Sequence, residues 1–269
     1  MTSRLLRWAV RIGACLTMAV FAFLVAYILI RGIPNLRLSL FEWNYNSVNA
    51  SMMPAIVNTL IVTALSLLMA VPVGVFSAIY LTEYARRGNR LVSAVRMAAE
   101  TLSGIPSIVY GLFGMLFFVV ALGMGLSILS GALTLSVMIL PLILRTTEEA
   151  ILAVPDAYRE GSFGLGAGRL RTVMRVVLPS AAPGILAGVV LGVGRIVGET
   201  AALIFTAGTV AAVPKGLLSS GRTLSVHMYA LASEGLHTNE AYATSVVLLA
   251  VVWGINTLSG WIAKRVGKG

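Results

Sequence analysis

A chain of 269 residues that is 58% hydrophobic and 11% charged, with a mean hydropathy of +0.92, cannot be a water-soluble domain. Its formal charge of +10 does not indicate nucleic acid, because the basic residues flank long apolar runs at alternating ends, as membrane topology requires. The one cysteine, Cys15, lies inside an apolar run, so neither a disulfide framework nor a cysteine metal site is available.

Arg4, Arg7 and Arg11 precede an apolar run that ends at Ile30. It is too long for a signal peptide and lacks a small-residue cleavage pattern, so it reads as a first membrane helix over 9–30 with a cytoplasmic N-terminus. An outer loop from Gly32 to Met53 follows, carrying Pro34, Glu42, Trp43 and Tyr45, with its aromatics expected at the interface and Asn49-Ala50-Ser51 matching a glycosylation acceptor. The second helix is expected over 55–80, kinked at Pro72 and Gly74. Residues 81–104 are polar enough to leave the membrane, and Arg86, Arg87, Arg90 and Arg96 place them in the cytoplasm. Helices three and four are expected over 105–122 and 126–144, joined by a tight turn at Gly123 to Gly125.

Residues 145–179 form an arginine-rich loop between two apolar runs, lying outside the bilayer and leading straight back into it. Within it the pattern is Glu160-Gly161-Ser162, three residues, Gly166, nine residues, then Val176-Val177-Leu178-Pro179. Ala157 to Leu165 and Leu170 to Val177 read as two short helices, with Gly164, Gly166 and Gly168 at the bend. Phe163, Leu165, Leu170 and Val173 would form an apolar ridge ringed by Arg169, Arg171 and Arg175, the shape that fits a groove in a soluble partner. Pro179 would set where the fifth helix begins.

The fifth helix is expected over 181–205, the sixth over 241–263, with 206–240 as a longer outer loop and Lys264, Arg265 and Lys268 closing the chain inside. In this topology fifteen of the 20 basic residues are cytoplasmic, Arg31, Arg37, Lys215 and Arg222 are outside, and Arg195 alone is in the membrane. Gly184, Gly188 and Gly192 form a small-residue ridge suited to close helix contact.

Arg195 and Glu199 are four residues apart, on one face of the expected fifth helix. An ionised side chain there costs at least about 2.5 kcal/mol on insertion scales, so the pair should face the bundle interior or a polar path. Two readings remain open. Arg195 meets a passing anion while Glu199 holds the guanidinium and competes for it, or the two form an ion pair that joins helices or subunits. Thr200, Thr206 and Ser107 can add hydroxyl contacts or simply bond the backbone. His227 and His237 fall in the expected outer loop, away from any carboxylate cluster, and read as exposed polar residues. Glu148, Glu149, Asp156 and Glu160 alternate with arginine near the elbow, which favours a solvated or partner-facing role over metal binding.

The spacing from Glu160 to Pro179 resembles the EAA loop of ABC importer permeases, Glu-Ala-Ala, three residues, Gly, nine residues, Ile-x-Leu-Pro. Gly161 and Ser162 stand for the alanines and Val176 for the isoleucine. Further stretches are similar to the phosphate importer permeases of the PstA family: Ile79 to Tyr84, Gly104 to Gly114, Gly194 to Ala201 and Leu224 to Tyr229. The resemblance spans roughly residues 55 to 265 and implies an all-α membrane permease of six helices in the bacterial inner membrane, with both termini cytoplasmic.

It also implies a PstC-like permease partner, two copies of a PstB-like ATPase and a PstS-like phosphate-binding protein, besides membrane lipid. ATPase coupling would fall to Glu160, Gly161, Ser162, Phe163, Gly166, Leu178 and Pro179, and the substrate pathway to Arg195, Glu199 and Thr200. No Gly-x-x-x-x-Gly-Lys-Ser/Thr loop occurs in the sequence, so ATP-Mg is expected at the partner ATPase and no cofactor or metal on this chain. A molybdate or sulfate importer would share the elbow. A membrane-embedded lipid transferase would need clustered catalytic residues, and a secondary transporter would show internal inverted repeats, which this sequence lacks.

Overall fold

The computed structural model describes residues 2–86 and 88–266, without the side chains of 2–5, 259 and 262–266. Arg87 and Lys268 therefore lie outside the described residues, as do the side chains of Arg4, Lys264 and Arg265. The described residues form helices α1 (Thr2–Gly32), α2 (Met53–Ile79), α3 (Arg90–Ser103), α4 (Ser107–Gly114), α5 (Ile128–Leu152), α6 (Asp156–Gly164), α7 (Arg169–Thr172), α8 (Leu178–Val197), α9 (Ala201–Thr206), α10 (Leu224–Glu234) and α11 (Thr238–Val266). A chain this apolar has to satisfy its backbone polar groups within each segment, and helices do so. Five described helical segments are long and apolar enough to cross a bilayer, and a sixth crossing arises if α3 and α4, bent by 104°, count as one span.

The centre is α5, packed between α2 and α8. Ser66 Oγ of α2 donates to the Ala132 carbonyl at 3.1 Å, and Ser136 Oγ of α5 donates to the Ser66 carbonyl at 3.1 Å, so two polar side chains become struts between helices. Gly74 is a contact point between α2 and α5: a Cβ there would sit 2.7 Å from Ile143 Cγ2. On the other side of α5, a Cβ on Gly184 or Gly188 would meet Ala150 Cβ or Thr146 Cβ at 2.7 Å, which makes the small-residue ridge the α5–α8 seam. Val62, Leu135, Met138, Ile139, Ile196 and Leu203 fill the core at this level.

Several boundaries differ from the sequence reading. The helix expected over 126–144 continues to Leu152, because Arg145 pairs with Glu149 at 3.0 Å one turn on and Glu148 pairs with Arg96 of α3, so the charged residues stay helical. The segment 81–104 is not a loop. Its first part, Tyr80–Tyr84, extends α2 as a π turn, and its second part is α3, which Tyr110 Oη ties to α4 by donating to the Leu102 carbonyl at 2.8 Å. The helix expected over 181–205 breaks at 198–200, and toward its start it runs back unbroken through a π turn (Val173–Val177) to Arg169. Pro179 thus lies inside a helical run and does not begin it. The π turn just before it accommodates the hydrogen bond that proline cannot donate.

The largest departure is 206–240, expected as an outer loop. Its middle is α10, which packs on α11 and α2 and carries the buried residues Leu224, Val226, His227 and Leu231. The Leu224 N–H donates to Thr59 Oγ1 at 2.8 Å, anchoring α10 on α2. His227 is therefore a core residue, and Arg222, assigned to the outside, is buried too. The segment between α1 and α2 folds over the same region, with Leu40, Ala50 and Met52 packed on Leu224, Leu231 and Ala241. Asn49 is nearly buried there, its amide donating to Glu42 Oε2 at 2.7 Å and to the Asn44 carbonyl at 2.9 Å, which gives it a structural role in place of a glycan acceptor's exposure.

Candidate functional site

The elbow is built from α6 and the helix that starts at Arg169. Pro155 precedes α6, and Asp156 in its first turn favours the helix dipole. The turn out of α6 depends on Gly166, whose φ of +79° suits glycine. Its N–H donates to the Phe163 carbonyl at 2.9 Å, and the Ala167 N–H to that of Ser162 at 3.1 Å. Gly161, Gly164 and Gly168 would each meet nothing within 4 Å if given a Cβ, so space does not require glycine at those positions. Ser162 Oγ and Thr172 Oγ1 lie 2.8 Å apart and join the two limbs.

No residue of α6 is buried. Phe163, Leu165 and Leu170 are exposed, Leu165 at 91%, as are Glu160, Arg171 and Arg175. Exposed large apolar side chains on a polar projection mark an interaction surface. Val173 does not belong to this ridge. It is 2% exposed and packs with Ile79, Ile151, Val154, Val177 and Ala181 beneath the elbow, where Leu178 is half-buried; Pro179 is exposed. Arg169 stacks on the Tyr84 ring at 5.3 Å rather than standing free.

Sequence reasoning missed the residue that fixes the elbow to the bundle, Arg159. Its Nε and Nη2 donate to Glu83 Oε1 at 3.0 and 2.8 Å, Nη2 also donates to the Ile151 carbonyl at 3.0 Å, and Nη1 donates to the Val154 carbonyl at 2.7 Å and to Asp156 Oδ1 at 3.1 Å. One guanidinium thereby joins α6, the end of α5 and the π turn that ends α2. No local pattern identifies a partner 76 positions away.

At the other sequence-derived site, α8 stops at Val197 and Gly198 caps it. Glu199 is outside the helix, its carboxylate accepting the Ala202 N–H at 3.0 Å and so capping α9. Among the described residues no ion pair joins it to Arg195, because with the helix broken the four-residue spacing no longer equals one turn. Arg195 is half-buried near the end of α8. Thr200 is also half-buried and lines a cleft of about 400 Å³ with Met228, Tyr229, Thr238, Tyr242 and Ser245. Thr206 Oγ1 donates to the Ala202 carbonyl at 2.8 Å, a backbone role; Ser107 is half-buried at the start of α4.

A multi-pass helical bundle with a break in one central helix and an exposed apolar elbow is the architecture of a transport permease. The chain belongs to the family described as binding-protein-dependent transport system inner membrane component, which matches residues 70–269, and it is a permease of the ABC importer type. It is 33% identical over 273 residues to the probable ABC transporter permease protein YqgI of Bacillus subtilis (strain 168), covering 95% of this chain and 92% of that one. It is 35% identical over 219 residues to the phosphate transport system permease protein PstA 2 of Mycobacterium bovis (strain ATCC BAA-935 / AF2122/97), covering 78% and 72% respectively. Its fold is similar to an inward-facing structure of the MetNI methionine ABC transporter, with a TM-score of 0.62 and 21% identity over 90% of this chain and 97% of that one.

Proposed function

We propose that this chain is one of two permease subunits in an ATP-driven phosphate importer, forming half of the phosphate path with a PstC-like partner. The observation that carries the reading is the 35% identity, over most of both chains, to a protein named as a phosphate transport permease. A half-buried arginine beside a helix break suits the same solute, because its planar fork donates two parallel hydrogen bonds to a tetrahedral oxyanion.

In this reading the elbow and both termini face the cytoplasm, and two PstB-like ATPases bind and hydrolyse ATP-Mg. Their closure pushes on Phe163, Leu165 and Leu170, and Gly166 holds the turn through which the push is delivered. Arg159 passes it to α2 and α5 through Glu83 and the Ile151 and Val154 carbonyls. Access then switches at the 198–200 break, where Arg195 receives the anion, Glu199 keeps the two helix pieces in register and Thr200 supplies a hydroxyl. A PstS-like protein delivers phosphate to the opposite end. This chain supplies the path and the lever, and the partner supplies the hydrolysis.

The test is uptake of labelled phosphate by vesicles carrying the whole complex, with molybdate and sulfate as competitors. Arg195→Gln is expected to cut phosphate uptake at least tenfold while the variant still co-purifies with its partners. Uptake that molybdate or sulfate suppresses more strongly than unlabelled phosphate does would assign the complex to another oxyanion.

A further inference from the structure

Arg222 is 5% exposed, and its Nε and Nη2 have no hydrogen-bond partner among the described residues. No carboxylate among them pairs with it. What it does have is the Tyr45 ring, 4.5 Å from Cζ. The His227 ring meets Tyr45 edge-on at 6.1 Å between centroids, is fully buried, and leaves both its nitrogens unpaired. The backbone of Ala50, a non-glycine residue at φ +44°, lies beside the imidazole without closing a well-formed hydrogen bond. Strain of this kind persists where the surroundings over-determine it, and it concentrates at binding sites.

The position of Arg222 is fixed from both sides. Its N–H donates to the Val210 carbonyl at 2.9 Å, and its own carbonyl accepts from Asn58 Nδ2 at 3.0 Å. Three residues on, Ser225 Oγ donates to the Glu199 carbonyl at 2.6 Å, which connects the cluster to the helix break. A buried guanidinium without a counter-charge is strongly unfavourable, and stacking on one tyrosine offsets only part of that. The two unpaired nitrogens share one edge of the guanidinium, the edge whose parallel N–H groups match two oxygens of one anion.

We propose that Arg222, His227 and Tyr45 form an internal binding site for a small protonated oxyanion, a station separate from Arg195 between the 33–52 segment and the 198–200 break. Burial first, and then the charge of Arg222, lower the His227 pKa to about 3, so the imidazole is neutral. A neutral imidazole donates through one nitrogen and accepts through the other. The acceptor fits a P–OH of hydrogen phosphate and disfavours sulfate, which has no proton to offer. The choice of phosphate rests on the function proposed above; the anion site itself does not.

The experiment is equilibrium binding of labelled inorganic phosphate, and separately of sulfate and molybdate, to the complete detergent-purified permease and ATPase complex, free of the soluble binding protein. The wild type is expected to bind phosphate saturably, and Arg222→Lys, which keeps the charge and loses the fork, to weaken binding at least tenfold. Phosphate should raise the melting temperature of the wild type and not that of Arg222→Lys. Wild-type affinity in Arg222→Lys overturns the site, as does an ATPase-active complex that binds none of the three anions. Arg222-dependent binding of molybdate or sulfate without phosphate keeps an anion site, removes its preference for a protonated ligand and sinks the phosphate reading. Phosphate uptake with binding that responds to Arg195→Gln alone sinks the site and leaves that reading intact.

Discussion

Arg159 holds the elbow by five hydrogen bonds, two of them to Glu83, and both side chains are largely buried. Removing Glu83 takes away the buried carboxylate and leaves Arg159 only the exposed Asp156, at a cost of about 3 kcal/mol at most. Glu83→Gln is therefore expected to loosen α6 from the bundle while the membrane helices stay assembled. The measurement is ATP hydrolysis against phosphate uptake in the same vesicles: hydrolysis persists and uptake falls severalfold. Unchanged coupling would reduce the Arg159–Glu83 contact to a local brace. His227 supplies a pH dependence. Opening of α10 exposes an imidazole of ordinary pKa 6.5, whereas in the folded protein the value is about 3. Between those values the open form takes up a proton that the folded form refuses, so stability is complete above pH 6.5 and declines as pH falls toward 3, by at most about 1.4 kcal/mol per unit. Hydrogen exchange of the α10 amides, corrected for intrinsic rates, should report opening on the order of tenfold more often at pH 5 than at pH 7. His227→Gln should flatten that difference.

At the scale of elements, two glycines test two different requirements. Gly166 has open space around it and a left-handed backbone, so Gly166→Val acts through conformation alone, at a cost of about 1–2 kcal/mol. The turn should distort, and the complex should hydrolyse ATP without matching uptake although membrane insertion is normal. Gly188 has an ordinary helical backbone and no space, with Thr146 across the α5–α8 seam. Gly188→Leu should force the helices apart at a cost of about 1–3 kcal/mol, visible as a lowered melting temperature, whereas Gly13→Leu on exposed α1 should be silent.

At the scale of the whole molecule, the proposed orientation puts the elbow and the segment before α2 on opposite faces of the membrane. Val48 and Leu165 are 94% and 91% exposed, in the segment before α2 and on the elbow respectively. With Cys15 replaced by serine, a cysteine at Leu165 should react with an impermeant thiol reagent only from the cytoplasmic face, and one at Val48 only from the opposite face. The reverse pattern would invert the proposed orientation and remove the ATPase from the elbow. α1 meets α11 near Gly32, where a Cβ would run into the Tyr242 carbonyl oxygen, and most of its length is exposed.

The helical class, the membrane setting and the elbow could all be read in the sequence, because each follows from a local rule. Apolar runs of some 20 residues have to become helices in a bilayer, and spaced glycines between arginines have to make an exposed turn. The same local rules misread 206–240, because Arg222 and His227 look like loop residues until a second segment, 33–52, covers them. They also took 145–152 for loop and Arg195 with Glu199 for a pair on one helix face. Charge partners on α3 and along α5 decided the first, and the stop at Val197 decided the second. Spacing along a chain fixes which side chains can share a turn of helix. Which charges are compensated depends on segments far apart in sequence, so only the packed structure could show that Arg159 has its carboxylate and that Arg222 has none among the described residues.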